Sequence, residues 1–132
     1  MNSVQESLDR KPTFSFTTPC GYEWIFKRGL VGYDGFSSLE PWYYLAKDDV
    51  FDIAAHWPQG PHKGHLVAFA RRQDCDDIAC FEVEGQGVKG ILVIQGWTGT
   101  GYDIVSTYTT FWEWLKSVID DIAEWAQVAS DQ

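Results

Sequence analysis

The chain has 132 residues, 45% of them hydrophobic and 16% aromatic, with seven Trp. That length favours one domain, and it can bury roughly two-thirds of the surface its unfolded chain exposes. The formal net charge is −9, from 19 acids and 10 bases, which argues against nucleic-acid and anionic-membrane surfaces as partners and favours a basic protein.

Residues 1–12 are polar and read as a loosely ordered N-terminus, with residues 13–132 forming a single domain. The opening MNSVQESLDRKP lacks an apolar core segment, so no signal peptide is expected. No apolar run approaches the roughly 20 residues needed to span a bilayer. The three cysteines, Cys20, Cys75 and Cys80, are too few and too odd in number for a disulfide framework and read as free thiols. The cytoplasm is the expected location.

Phe14 and Phe16 alternate with polar residues, as in a short edge strand. Pro19 to Lys27 can form one or two helical turns, with Tyr22, Ile25 and Phe26 on one face and Trp24 across from them. Gly29 to Glu40 is rich in Gly and Ser and reads as loop. Trp42–Leu45 is aromatic and strand-like. Lys47 to Trp57 predicts a short helix, because Val50, Ile53, Ala54 and Trp57 follow i, i+3, i+4, i+7 spacing and Pro58 ends the run. Asp48 and Asp49 suit its positive N-terminal end.

Four strand-like runs follow: His65–Ala70, Ile78–Glu84, Val88–Gln95 and Tyr102–Tyr108. Their short separations predict an antiparallel meander, since parallel neighbours need long crossovers. The first and third runs are apolar on both faces and are placed centrally. In the second, Ala79, Phe81 and Val83 point one way, and Glu82 and Glu84 the other. Thr110 and Glu113 form a capping box for a final amphipathic helix. Phe111, Leu115, Val118, Ile119, Ile122 and Ala126 define its inner face, and Glu113, Asp120, Asp121 and Glu124 its outer face. The expected class is α+β: a mostly antiparallel twisted sheet of about four to six strands flanked by helices, with the C-terminal helix packed on the sheet.

The catalytic patterns weigh little. His62, His65, Cys75 and Cys80 could supply a zinc set, but four residues separate Cys75 from Cys80 and Cys80 is expected inside a strand, unlike the paired spacing of structural zinc sites. Asp74, Asp76 and Asp77 suit a turn better than a calcium loop, which would need Gly and a closing Glu at fixed offsets. A metal-dependent hydrolase using them with a histidine is the weakest alternative. GWTGTG, from Gly96 to Gly101, leads into a strand and not into the helix that a phosphate cradle requires. No metal and no cofactor is expected. Trp112 and Trp114 cannot share one narrow helical stripe, so one of them should be exposed or covered by a loop. In the Gly-rich loops, Tyr33 and Trp97 are candidates for exposure and partner contact. The candidate partner-binding set is Tyr33, Asp34, Asp74, Asp76, Asp77, Glu82, Glu84, Trp97, Tyr102 and Asp103.

Several segments together resemble the SUKH superfamily, cell-wall-regulator-like proteins common among bacterial toxin immunity proteins. They are GLVGYDGFSSLEPWYYL, the run to HWP, HLVAFARRQDCDDIACFEV, ILVIQGWT and TFWEWLKSVIDDIAEWA, which fall within residues 29–127. The third looks like that family's strand, FA, polar turn, acidic pair and second strand. The resemblance implies an antiparallel sheet flanked by helices. It also implies a non-enzymatic role: binding and neutralising a polymorphic toxin, often a nuclease. A housekeeping adaptor or regulator of the same fold is the alternative. A monomer or weak dimer is expected.

Overall fold

The computed structural model describes residues 9–33, 37–96 and 101–130. In chain order the elements are α1 (Cys20–Lys27), β1 (Trp42–Tyr44), β2 (Phe51–Asp52), α2 (Ile53–His56), β3 (His65–Arg72), β4 (Asp77–Glu84), β5 (Gly87–Gly96), β6 (Tyr102–Tyr108) and α3 (Phe111–Ser130). The six strands form one antiparallel sheet in the order β1-β3-β4-β5-β6, and β2 pairs with β3 beside β1. The class is α+β, with α3 lying against the sheet.

The meander from β3 to β6 follows from its tight connections. Gly85, at φ 61°, turns β4 into β5 in the left-handed region that side chains disfavour. β4 sits at the centre, with Ala79, Phe81 and Val83 towards one face and Glu82 towards the other. A bulge in β3 leaves Phe69 without a partner between Ala68 and Ala70. It turns Phe69 and Ala70 to the same side, where Phe69 stacks on Phe81 at 4.0 Å.

That side is the larger core. α1 contributes Tyr22, Ile25 and Phe26; β1 contributes Trp42 and Tyr44; α3 contributes Phe111, Trp114 and Val118. The opposite face carries a smaller core of Leu66, Ala68, Ile78, Cys80, Leu92, Ile94 and Tyr102. No long helix covers it among the described residues; Leu45, Ile53, Phe51 and Trp57 do so instead.

Three local expectations change. Lys47–Trp57 is not one helix: residues 47–49 form a turn, Phe51 and Asp52 pair with Ala68 and Val67, and only Ile53–His56 is helical. The N-terminal half of β3 has edge amides and carbonyls to satisfy, and pairing them outweighs a short helix of marginal intrinsic stability. Phe14 and Phe16 are not in a strand; both rings pack edge-on against Phe81, at 5.6 and 5.9 Å, so this segment covers the core and does not extend the sheet. In α3 the inner stripe runs through Phe111, Trp114, Val118 and Ile122, while Ile119 is 57% exposed and Ala126 is exposed. The buried stripe is rotated towards Trp114 and away from Ile119, because the Trp114 ring packs among Trp42, Phe69 and Phe111.

Of the polar N-terminal stretch, residues 9–12 are described. Lys47 N–H donates to the Arg10 carbonyl at 2.8 Å, and Lys11 pairs with Glu23 at 2.8 Å. No described helix is long and apolar enough to cross a membrane.

Candidate interaction surface

The turn from β3 to β4 is locked by one side chain. Arg72 Nε and Nη2 donate to the two carboxylate oxygens of Asp74, each at 2.7 Å. Its Nη1 lies 3.4 Å from Asp121 on α3, and Trp42 Nε1 donates to the same Asp121 carboxylate at 2.9 Å. A planar guanidinium suits such a fork, and here it ties β1, the turn and α3 together. The Arg72 hydrogen bonds hold Asp74 below the usual carboxylate range.

Around this knot the acids accumulate. Asp76 is exposed in the turn, and Asp77 accepts from Gln95 Nε2 at 3.1 Å. The register places Asp77, Gln95 and Asp103 side by side across β4, β5 and β6, with Asp103 exposed. Asp120 and Glu124 are exposed within one turn of Asp121. Seven carboxylates therefore gather at one end of the molecule, where Arg71 and Arg72 are the only basic residues of the turn and its flanking strand ends.

The ten candidate residues do not form one surface. Asp74, Asp76, Asp77 and Asp103 belong to this end. Glu82 and Glu84 lie towards the far end of β4, roughly 17 and 23 Å from Asp77 at strand rise. There Glu82 bonds His62 at 2.8 Å, and Lys89 approaches Glu82 and Glu84 at 3.9 and 3.6 Å. Asp34 and Trp97 lie outside the described residues. The expected exposure of Tyr33 is corrected: it is 3% exposed, bridged to the backbone of Tyr44, and covered by Arg10, whose guanidinium carbon stands 4.7 Å from the ring centroid. Burial pushes its phenol up to about 12. Tyr102 is likewise inside, 5% exposed, with its hydroxyl accepting from the His62 backbone N–H at 3.2 Å. Both rings leave the surface because aromatic area is worth more in the core; the Arg10 guanidinium covers the face of Tyr33, and a backbone amide meets the Tyr102 hydroxyl. Asp120, Asp121 and Glu124 were legible as the outer face of α3; their meeting with the turn was not, since Trp42 and Asp121 are 79 residues apart.

One histidine–carboxylate pair faces a cavity. His62, Trp57, Leu66 and Tyr102 help to line a hollow of about 120 Å³ on the smaller-core face. His62 Nδ1 accepts from the Gly64 backbone N–H at 3.1 Å, which leaves Nε2 as the protonated nitrogen that donates to Glu82. Both ring nitrogens of this imidazole are thus in hydrogen bonds within the chain. His65 pairs with Asp52, and His62 and His65 sit at the opposite end of the β3–β4 hairpin from Asp74, Asp76 and Asp77. Among the described residues, no group of three or more His, Cys, Asp or Glu is placed to hold a metal ion. Cys80 is buried, which pushes its thiol up and away from the reactive thiolate.

Neither a protein-family model, nor a curated protein, nor a solved structure matches the chain.

Proposed function

We propose that this chain is a binding protein without chemistry of its own, an immunity protein of the SUKH type that captures and neutralises a basic bacterial toxin. A nuclease is the toxin class whose phosphate-binding surface best complements it. The observation that carries the reading is the acidic end: Asp74, Asp76, Asp77, Asp103, Asp120, Asp121 and Glu124 on rigid elements keyed by Arg72. Carboxylates held in place before encounter attract a cationic surface and lose little freedom on binding it. An interface of standard size, roughly 1,600 Å² in total, would need this end and some neighbouring surface. The resemblance in residues 29–127 points the same way.

The test is capture. Purified chain, mixed with the product of a toxin-like gene adjacent to its own, is expected to form a stoichiometric complex and abolish the toxin's activity. Failure to bind any such product sinks the reading. A neighbourhood of metabolic or envelope genes, with binding to one of their products, would replace it with the adaptor.

A further inference from the structure

The helix layer carries a surface of opposite character. Cys20 and Trp24 on α1, with Arg28 just past its end, form an exposed stripe at i, i+4, i+8 spacing. Trp24 is 44% exposed and Trp112, on the first turn of α3, is 47% exposed. Their rings meet edge to face at 6.4 Å, and the Arg28 guanidinium lies 3.7 Å over Trp24. A Cβ at Gly21 would stand 2.5 Å from Phe111, so the glycine sets how closely α1 approaches α3. Between the two helix starts lies an open groove of about 230 Å³, floored by Val88, Ile91 and Phe111 and walled by Trp112. That is below the roughly 300 Å³ at which small-molecule sites begin, and it matches one large apolar side chain.

The groove's own lining is uncharged, and three cations stand near it. Lys27 and Arg28 are exposed within one turn of Trp24, and Lys116 is exposed one turn from Trp112; Lys27 also acts on Glu23, whose carboxyl it helps to lower. Two of the nearby acids are committed, while Asp120, one turn beyond Lys116, is exposed. Glu23 binds Lys11 and Thr18 at 2.8 Å each, and Glu113 caps the Thr109 backbone N–H at 3.2 Å. Trp and Arg are the residues that most often anchor interfaces.

We propose that this face is a second docking surface, which takes a short acidic segment of a partner protein. One large apolar side chain of that segment fills the groove beside Trp112, and its flanking carboxylates meet Lys27, Arg28 and Lys116. A single-stranded nucleic acid would also be anionic and could stack on the tryptophans. The small apolar groove and the −9 net charge favour the peptide. The inference is independent of the toxin reading, because Asp121 lies roughly 14 Å along α3 from Trp112.

The experiment uses the full chain and fluorescein-labelled synthetic peptides with a central Leu or Phe between Asp and Glu residues. Matched peptides with an Ala centre or Lys flanks, and an oligothymidylate, serve as competing probes. Saturable binding of the acidic Leu and Phe peptides is expected by polarisation, with a change in tryptophan fluorescence. The charge-reversed variant K27E/R28E/K116E should lose about tenfold or more in affinity while keeping its circular dichroism and its capture of a toxin. Trp112→Ala should weaken binding similarly. Equal binding of the Ala-centred or Lys-flanked peptides overturns the proposal. So does unchanged affinity in the charge-reversed variant, no binding at millimolar peptide, or tighter binding of the oligothymidylate.

Discussion

Tyr102 shows how single contacts organise the smaller core. A Cβ at Gly60 would overlap its ring, and its hydroxyl receives the His62 backbone N–H. The segment that carries Trp57 to Gly64 can lie on the sheet only because position 60 has no side chain. Gly60→Ala is therefore expected to lower unfolding free energy by about 1–3 kcal/mol through overpacking, read by denaturant titration. Asp74 gives a pH signature. Its Arg72 hydrogen bonds lower its folded pKa, so the unfolded chain binds the proton more readily. The stability it contributes is present above the ordinary Asp range and is lost as pH falls through the depressed folded value. Glu23 acts in the same direction: burial raises its pKa, but hydrogen bonds from Lys11 and Thr18 outweigh that and leave it lowered. Asp74→Asn should flatten the acid limb of a stability–pH curve; a limb as steep as in the parent chain would show that the fork contributes nothing.

At the level of elements, α3 depends on its first turn. Glu113 N–H donates to Thr110 Oγ1 at 3.1 Å, and the Glu113 carboxylate reaches back to the Thr109 N–H. The reciprocal cap expected from the sequence forms, with its return bond one residue earlier than in the usual box. Thr110→Ala should cost about 1 kcal/mol, measured by thermal unfolding. The same helix shows what the sequence could and could not reveal. Its start, its amphipathic character and the exposure of one of Trp112 and Trp114 were legible, because they follow from spacing within one element; which of the two is exposed was not. The rotation of its inner stripe onto Trp114 was not, since it is decided by the rings of Trp42 and Phe69 far away in sequence. The meander was legible from strand lengths and turns. The two-residue β2 was not, because only the open edge of β3 makes Phe51 and Asp52 extended. For the candidate site, composition gave the sign of the charge, but only the fold gathers the turn, Asp103 and α3 into one end and draws Tyr33 inside.

Over the whole molecule, charge is segregated. The acidic end and the Trp24–Trp112 face are centred at different stations along α3 and meet where Lys116 and Asp120 stand one turn apart. Neutralising Asp76, Asp103, Asp120 and Glu124 together, which leaves the Arg72 fork intact, should slow association with a basic toxin about tenfold or more at low salt. The difference between parent and variant should shrink at high ionic strength, as screening shortens the reach of exposed charges. Equal association rates at low salt would place the toxin contact elsewhere.

The sheet's two rims bear on behaviour in a crowded cell. On β6 the ladder with β5 slips between Val93 and Ile94, which leaves Val105 as an extra residue in an otherwise regular run with Ile104 and Val105 uncovered. On the other side, β1 and β2 divide the flank of β3 between two short pieces. A colliding copy thus finds no long straight row of amides on either rim to zip onto, so fibrous stacking is discouraged even though apolar side chains remain in view.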